Sequence, residues 1–280
     1  MGLFNGYLKE GPGVEKDAPE KHRFFLFFEL FGRKFSKLIL LNIMYFVTLI
    51  PLIIGAFSTF AINENIYADG SISYAMIKTY PPVVFSGNIL GMIIFLIGFI
   101  IAGASTCGFV YIIRNYQNQE HAWLKSDFIE QFKVNFRQGA TIGIIDFIMI
   151  MMVFVATNFY LYMAKSISPE FATMSPVLLG VVSLITIVYT WMHYYMHLLM
   201  VTFDISTKDI YKNAFLFSIG KLPLNLLITV IVAFIVMICL FYIPIRISII
   251  MTGVILLSFI GYIITFSVYP TVEKYMIKGN

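Results

Sequence analysis

From Val83 to Ile113 the chain runs thirty-one residues without a charge, and uncharged apolar stretches of similar kind recur along its length. At about 1.5 Å of rise per residue, some twenty helical residues cross the roughly 30 Å hydrocarbon core of a bilayer. In lipid every backbone polar group must be satisfied internally, which leaves only helices or closed barrels. These stretches show no period-2 alternation, so they are read as helices. Composition agrees. Hydrophobic residues make up 59% and charged residues 12%, with mean hydropathy +0.86, against about 45–50% and 25% in ordinary soluble domains.

Six spans follow in order: Leu38–Ala61, a second within Val83–Ile113, Gly139–Met163, a fourth within Phe171–Phe203, Leu222–Ile243 and Ile247–Tyr269. The fold class is all-α and polytopic, with one transmembrane domain over residues 21–272. Residues 1–20 hold Gly11-Pro12-Gly13 and Pro19 among charges and read as an irregular cytoplasmic lead-in. They contain no apolar signal-peptide core. Residues 273–280 form a short polar cytoplasmic tail.

Three stretches on one side of the membrane have the pattern of amphipathic helices. Ahead of the first span, Phe24, Phe28, Phe31 and Phe35 share a stripe at 100° per residue, opposite Glu29, Arg33 and Lys37. Such a helix is suited to lie on a membrane surface. Between spans two and three, Leu124, Phe128 and Phe132 oppose Glu130, Lys133 and Arg137, with Ser126 or Asp127 as cap. Before the fifth span, Ile210, Ala214 and Phe217 oppose Lys208 and Lys212, with Phe215 off the stripe. Aligning Phe31 with Phe132 also aligns Phe35 with Phe136, which reads as a threefold repeat of foot, outward span and returning span.

Sixteen of the nineteen Lys and Arg residues lie on this side; the three outer loops hold only Lys78, Lys165 and Arg246. By the positive-inside rule both termini and all three feet are cytoplasmic. The formal charge of +4 comes from these flanks and marks orientation, not nucleic-acid binding.

Few residues offer chemistry. Asp146 is the one acidic residue inside a span, and His193 and His197 share a face of the fourth at i,i+4 spacing. Together with Asn42 and Asn225 they are expected at similar depth, as one inner-leaflet polar layer that joins helices or lines a solute or proton path. Two imidazoles at this spacing can hold a metal, but HYYMH lacks the glutamate of H-E-x-x-H, so no metal or other cofactor is assigned. Trp191, Tyr194 and Tyr195 read as anchors or packing. Cys107 and Cys239 lie in apolar runs and read as buried thiols. Neither a phosphate loop nor a G-x-S-x-G elbow is present, and the chain is not read as an enzyme.

Four segments taken together resemble the YesL family of bacterial membrane proteins: GPGVEKDAPEKHRFFLFFELFGRKFSKLILLN, NQEHAWLKSDFIEQFKVNFRQG, YYMHLLMVTFDISTKDIYKNAFLFSIGKLPLNLL, and LIPLI of the first span. The resemblance implies a Gram-positive cell membrane and a setting beside binding-protein-dependent sugar importers. It supplies no catalytic residues. KNAFLFSIGKLP faintly resembles the coupling helix of sugar-importer permeases, yet lacks its Glu-Ala-Ala opening and a glycine at the expected spacing. The expected function is therefore a non-catalytic accessory subunit that associates with the permease and ATPase of a carbohydrate ABC importer. Its third foot, with Lys208, Ile210, Lys212, Ala214 and Phe217, would dock the partner. The alternative is a stand-alone small-solute transporter built on Asp146, His193 and His197.

Overall fold

The computed structural model describes residues 22–62, 67–68, 71–72, 83–166 and 169–278. The segment 1–20 and most of the loop 62–82 lie outside the described residues. Six helices are long and apolar enough to cross a membrane, and the chain is an all-α, multi-pass membrane protein. Apolar side chains such as Ile148, Met152, Val155, Leu184, Leu226, Val230 and Phe234 stand exposed along these helices. In a bilayer that surface faces lipid.

The first helix, α1 (Arg23–Thr59), is unbroken over 37 residues, about 55 Å of rise. The first foot is therefore not a separate surface helix: residues 23–37 are the leading turns of the span itself. Its inward stripe also differs from the expected one. Phe24, Phe28 and Phe35 are exposed, while Leu30, Leu38 and Leu41 are buried and Phe27 and Phe31 pack on Tyr262 of the last span. The Tyr262 hydroxyl donates to the Phe27 carbonyl at 3.1 Å, and Arg23 donates to the Phe266 carbonyl at 2.8 Å. These contacts hold the leading turns upright against the last span, which is why they do not fold down onto the surface.

After α1, strand β1 (Phe60–Ile62) begins the outer loop, which contains β2 (Tyr67–Ala68) and β3 (Ser71–Ile72) and closes with β4 (Val83–Phe85). β1 pairs antiparallel with β4, Phe60 opposite Phe85, and delivers the chain to α2 (Ile89–Gln117). Asn88 caps α2 through a 3.1 Å bond from the Gly91 N–H. The second foot is a separate helix, α3 (Leu124–Val134). It starts one turn earlier than Ser126 or Asp127 would cap it, and Asp127 instead accepts from the Trp123 N–H at 2.8 Å. Then come α4 (Phe136–Ser166), α5 (Pro169–Thr202), the third foot α6 (Thr207–Gly220) and α7 (Leu222–Met237). The last span is α8 (Ile245–Met251), a widened π-helical turn (Thr252–Leu256) and α9 (Leu257–Val272), and helical structure runs on to Ile277 where a polar tail was expected.

Between helices in lipid, close backbone approach replaces the hydrophobic drive that water supplies. Here small residues provide it. Gly139 and Gly143, four apart on α4, meet Gly103, Ala104 and the Phe99 carbonyl on α2 so closely that a methyl group at Gly103 or Gly143 would overlap a backbone oxygen. Gly55 of α1 lies in the same way against the Phe95 backbone of α2. The four spans α1, α2, α4 and α5 thus form a sequential stack, closed by α9 against α1, α2 and α5.

With six spans, the two chain ends share a side, and the charge count makes that side the inner one. Lys212 is exposed on α6, and both native cysteines are buried. A Lys212→Cys variant is expected to react with a membrane-impermeant maleimide only after cells are opened; labelling of intact cells would reverse the orientation.

Candidate functional site

The α4–α5 hairpin sets the site. Asp146 on α4 and Tyr189 and His193 on α5 lie at equivalent distances from the hairpin turn, so the antiparallel pair brings them face to face. The Tyr189 hydroxyl bonds Asp146 Oδ1 at 2.5 Å, and His193 Nε2 meets the same oxygen at 2.9 Å. Among the described residues, Oδ2 has no such partner, and the only basic group within 4 Å of the carboxylate is that imidazole. Tyr189, His193 and His197 follow one another every four residues on the same face of α5.

His197 sits one turn nearer the inner end, with the two imidazole centroids 6.0 Å apart. It is buried, the Gly103 carbonyl lies within hydrogen-bonding reach of the ring, and its Nε2 has no partner. From the third foot, Tyr211 directs its buried hydroxyl toward Tyr189, within electrostatic reach of Asp146. Burial pushes the Tyr211 phenol up to about 12, so it keeps its proton across the physiological range.

The cluster opens on space. A cleft of about 410 Å³ lies between α1, α2, α4, α5 and α9, with Asp146, His193 and His197 in its wall. Tyr45, Phe99, Phe109 and Tyr194 are the aromatic residues of the wall, with Tyr45 stacked on Phe109 at 4.3 Å, and Thr106, hydrogen-bonded to Tyr45 at 2.8 Å, adds a polar one. A second space of about 270 Å³, lined by Met149, Ile150, Val153 and Thr186, also has Asp146 and His193 in its wall. The acid–imidazole pair therefore borders both spaces. It can accept or release a proton, and it can present a carboxylate to a solute in either space.

The structure does not gather the five expected polar residues into one layer. Asn42 serves the widened turn of the last span: its Nδ2 donates to the Thr252 and Gly253 carbonyls at 2.8 Å each, and its Oδ1 accepts from the Ser258 N–H at 2.8 Å. A π-turn displaces carbonyls from their ordinary i→i−4 partners, and Asn42 satisfies them from the neighbouring helix. Asn225 joins three elements, accepting from Tyr195 at 2.7 Å and donating to the Phe217 and Ser218 carbonyls at 3.2 and 2.9 Å. Both amides are saturated and structural; Asp146, His193 and His197 alone share the cleft.

The expected docking face of α6 is already occupied. Ile210 and Ala214 are buried in the core shared with α5, and Phe217 stacks on Tyr195 at 5.2 Å. Lys208 and Lys212 remain exposed, accompanied by Leu216, Ile219 and Phe215, the last of which the periodicity had left off the stripe. Trp191 and Tyr194 both bond Thr229 of α7, at 2.8 and 3.0 Å, as packing groups. Cys107 and Cys239 are buried thiols.

Tyr189 and Tyr211 were not among the expected site residues. Tyr189 carried a signal, the i,i+4,i+8 spacing with both histidines; Tyr211 reaches the site only through tertiary packing. Among the described residues, no three His, Cys, Asp or Glu side chains are grouped so as to hold a metal ion. Compared with family models, with curated proteins and with solved structures, the chain matches none.

Proposed function

We propose that this protein transports a small polar solute across the membrane without a partner subunit, through the cleft at Asp146, His193 and His197. The carrying observation is a carboxylate inside a spanning helix, held by Tyr189 and His193 and facing two cavities. An ionisable side chain at such depth costs about 2.5–3.5 kcal/mol on insertion scales and ordinarily marks a substrate or proton path. A clamp that served packing alone would do as well with an amide, as Asn42 and Asn225 do here. The cleft volume also falls in the range of small-molecule sites, about 300–1,000 Å³.

Uptake into proteoliposomes containing only this chain tests the reading, with labelled sugars and other small polar solutes offered from outside. Flux is expected in the wild type and a loss of at least about tenfold in Asp146→Asn. Equal flux in the two removes Asp146 from the mechanism.

A second reading is favoured by the exposed side of α6, where Phe215, Leu216 and Ile219 adjoin Lys208 and Lys212. Together with the resemblance to the YesL family, it supports an accessory role beside a carbohydrate ABC importer in a Gram-positive cell membrane. Purification in mild detergent is then expected to bring down permease and ATPase subunits, with the association lost in Leu216→Glu. Failure of both subunits to co-purify, with sugar uptake unchanged on deletion, sinks this reading.

A further inference from the structure

The charge of the cleft is one-sided. Among the described residues, its wall contains a carboxylate and no lysine or arginine. Arg114, at the inner end of α2, is engaged with the Val201 carbonyl at 2.6 Å and with Thr202 and Asn115. An anionic solute would find no fixed cation there. A neutral one would leave the carboxylate's charge unanswered except by the imidazole.

The remaining wall is mostly apolar, with Tyr45, Phe99, Phe109 and Tyr194 among aliphatic side chains such as Leu49, Leu52 and Ile260. A carboxylate in an apolar wall that includes aromatic rings suits an ammonium group, whose charge the carboxylate answers and whose carbon substituents the apolar side chains cover. We infer that the cleft binds a small organic cation, of the quaternary or protonated amine class, in exchange for the proton shared by Asp146 and His193. This rests on the transport reading above and gives it a substrate class and a coupled ion.

The exchange follows from charge balance. In the proposed exchange the solute competes with the protonated form of the pair, imidazolium against carboxylate. When an ammonium group approaches Asp146, it takes the place of the imidazolium as counter-charge; His193 becomes neutral and its proton leaves for water. Each state then carries one positive charge beside the carboxylate, so a bare anion is never left in the low-dielectric interior.

The titratable groups facing the pair are Tyr189 and His197 on α5 and Tyr211 on α6; Tyr45 on α1 and Tyr194 on α5 line the cleft. Phenols ordinarily stay protonated near neutral pH, which leaves imidazole as the side chain able to exchange a proton there. Of the two imidazoles, that of His193 is the one in contact with the carboxylate.

Titration calorimetry of the full chain in detergent tests this, with benzyltrimethylammonium as probe and benzoate and glucose as anionic and neutral controls. Running the titration in two buffers of different ionisation enthalpy counts the protons released. The expected result is binding of the cation alone, release of up to one proton per cation, and affinity weakening toward about tenfold per pH unit below the imidazole range. Asp146→Asn should weaken binding at least tenfold, while His193→Gln should bind with no proton released; unchanged thermal midpoints show that both variants remain folded.

Equal affinity of wild type and Asp146→Asn for the probe overturns the inference. So does a wild type that ignores benzyltrimethylammonium while its Asp146-dependent uptake of a neutral sugar persists, an outcome that leaves the transport reading standing. If neither cation binding nor Asp146-dependent uptake is found, both fall together.

Discussion

Replacing Asn42 with leucine is expected to lower the stability of the bundle by about 2–5 kcal/mol. The amide makes three interhelical bonds to one widened turn. Bonds of this kind in membranes contribute about 0.6 to 1.7 kcal/mol each. Leucine fills the space but leaves two carbonyls and one N–H to find other partners in an apolar interior, where water cannot reach them easily. Thermal unfolding in detergent reads the effect, with Asn158→Leu as control. Among the described residues, Asn158 donates to the Phe154 carbonyl within its own helix and to no other helix, so its loss should shift the midpoint little. Equal shifts in the two variants would mean that Asn42 is not a clamp.

The second large effect is at Gly143. A methyl group there overlaps the Phe99 carbonyl, and the obstacle is backbone, which cannot rotate away. Overpacking in cores costs about 1–3 kcal/mol where side chains can adjust. Here α2 and α4 must separate along their whole contact, so Gly143→Ala is expected to cost at least the upper end of that range. Gly143→Leu should yield no folded protein. Gly180, with open space where its Cβ would lie, is the matched control, and Gly180→Ala should be tolerated. Comparable losses at both positions would contradict the close approach. Because Asp146 lies three residues beyond Gly143 on α4, the same crossing also sets the carboxylate against the cleft formed with α2.

Much of this architecture was legible from the residues because lipid imposes simple rules. Uncharged length located the spans, and sixteen inner cations against three outer ones oriented them. Asp146 and His193 were recognisable as partners because ionisable residues inside spans are few and both fell inside spans. Other features depended on which face meets which. Asn42 and Asn225 lie in spans as Asp146 does, yet depth alone does not say which helix stands opposite, and each proved to serve a separate joint. Periodicity also misjudged the first foot. Its aromatic residues occur on more than one face, and the stripe that is buried, around Phe27, Leu30 and Phe31, was selected by Phe259 and Tyr262 some 230 residues away. On α6 the same rule correctly grouped Ile210, Ala214 and Phe217 on one apolar face, but it could not tell an inward face from an outward one. The π-turn at residues 252–256 had no local signature beyond Gly253 within it. The G-x-x-x-G spacing at Gly139 and Gly143 was a readable sign of close helix approach, although not of which helix would approach.

The central claim is that the Asp146 carboxyl is open to a cleft in the bilayer interior and not sealed inside packing. Mass spectrometry after treatment with dicyclohexylcarbodiimide tests it most directly, since this lipid-soluble reagent adds to carboxyl groups that it can reach from an apolar phase. The account predicts a single adduct on the peptide carrying Asp146, diminished when benzyltrimethylammonium is present. An unmodified Asp146 in a chain whose exposed Glu120 carries the adduct would contradict it.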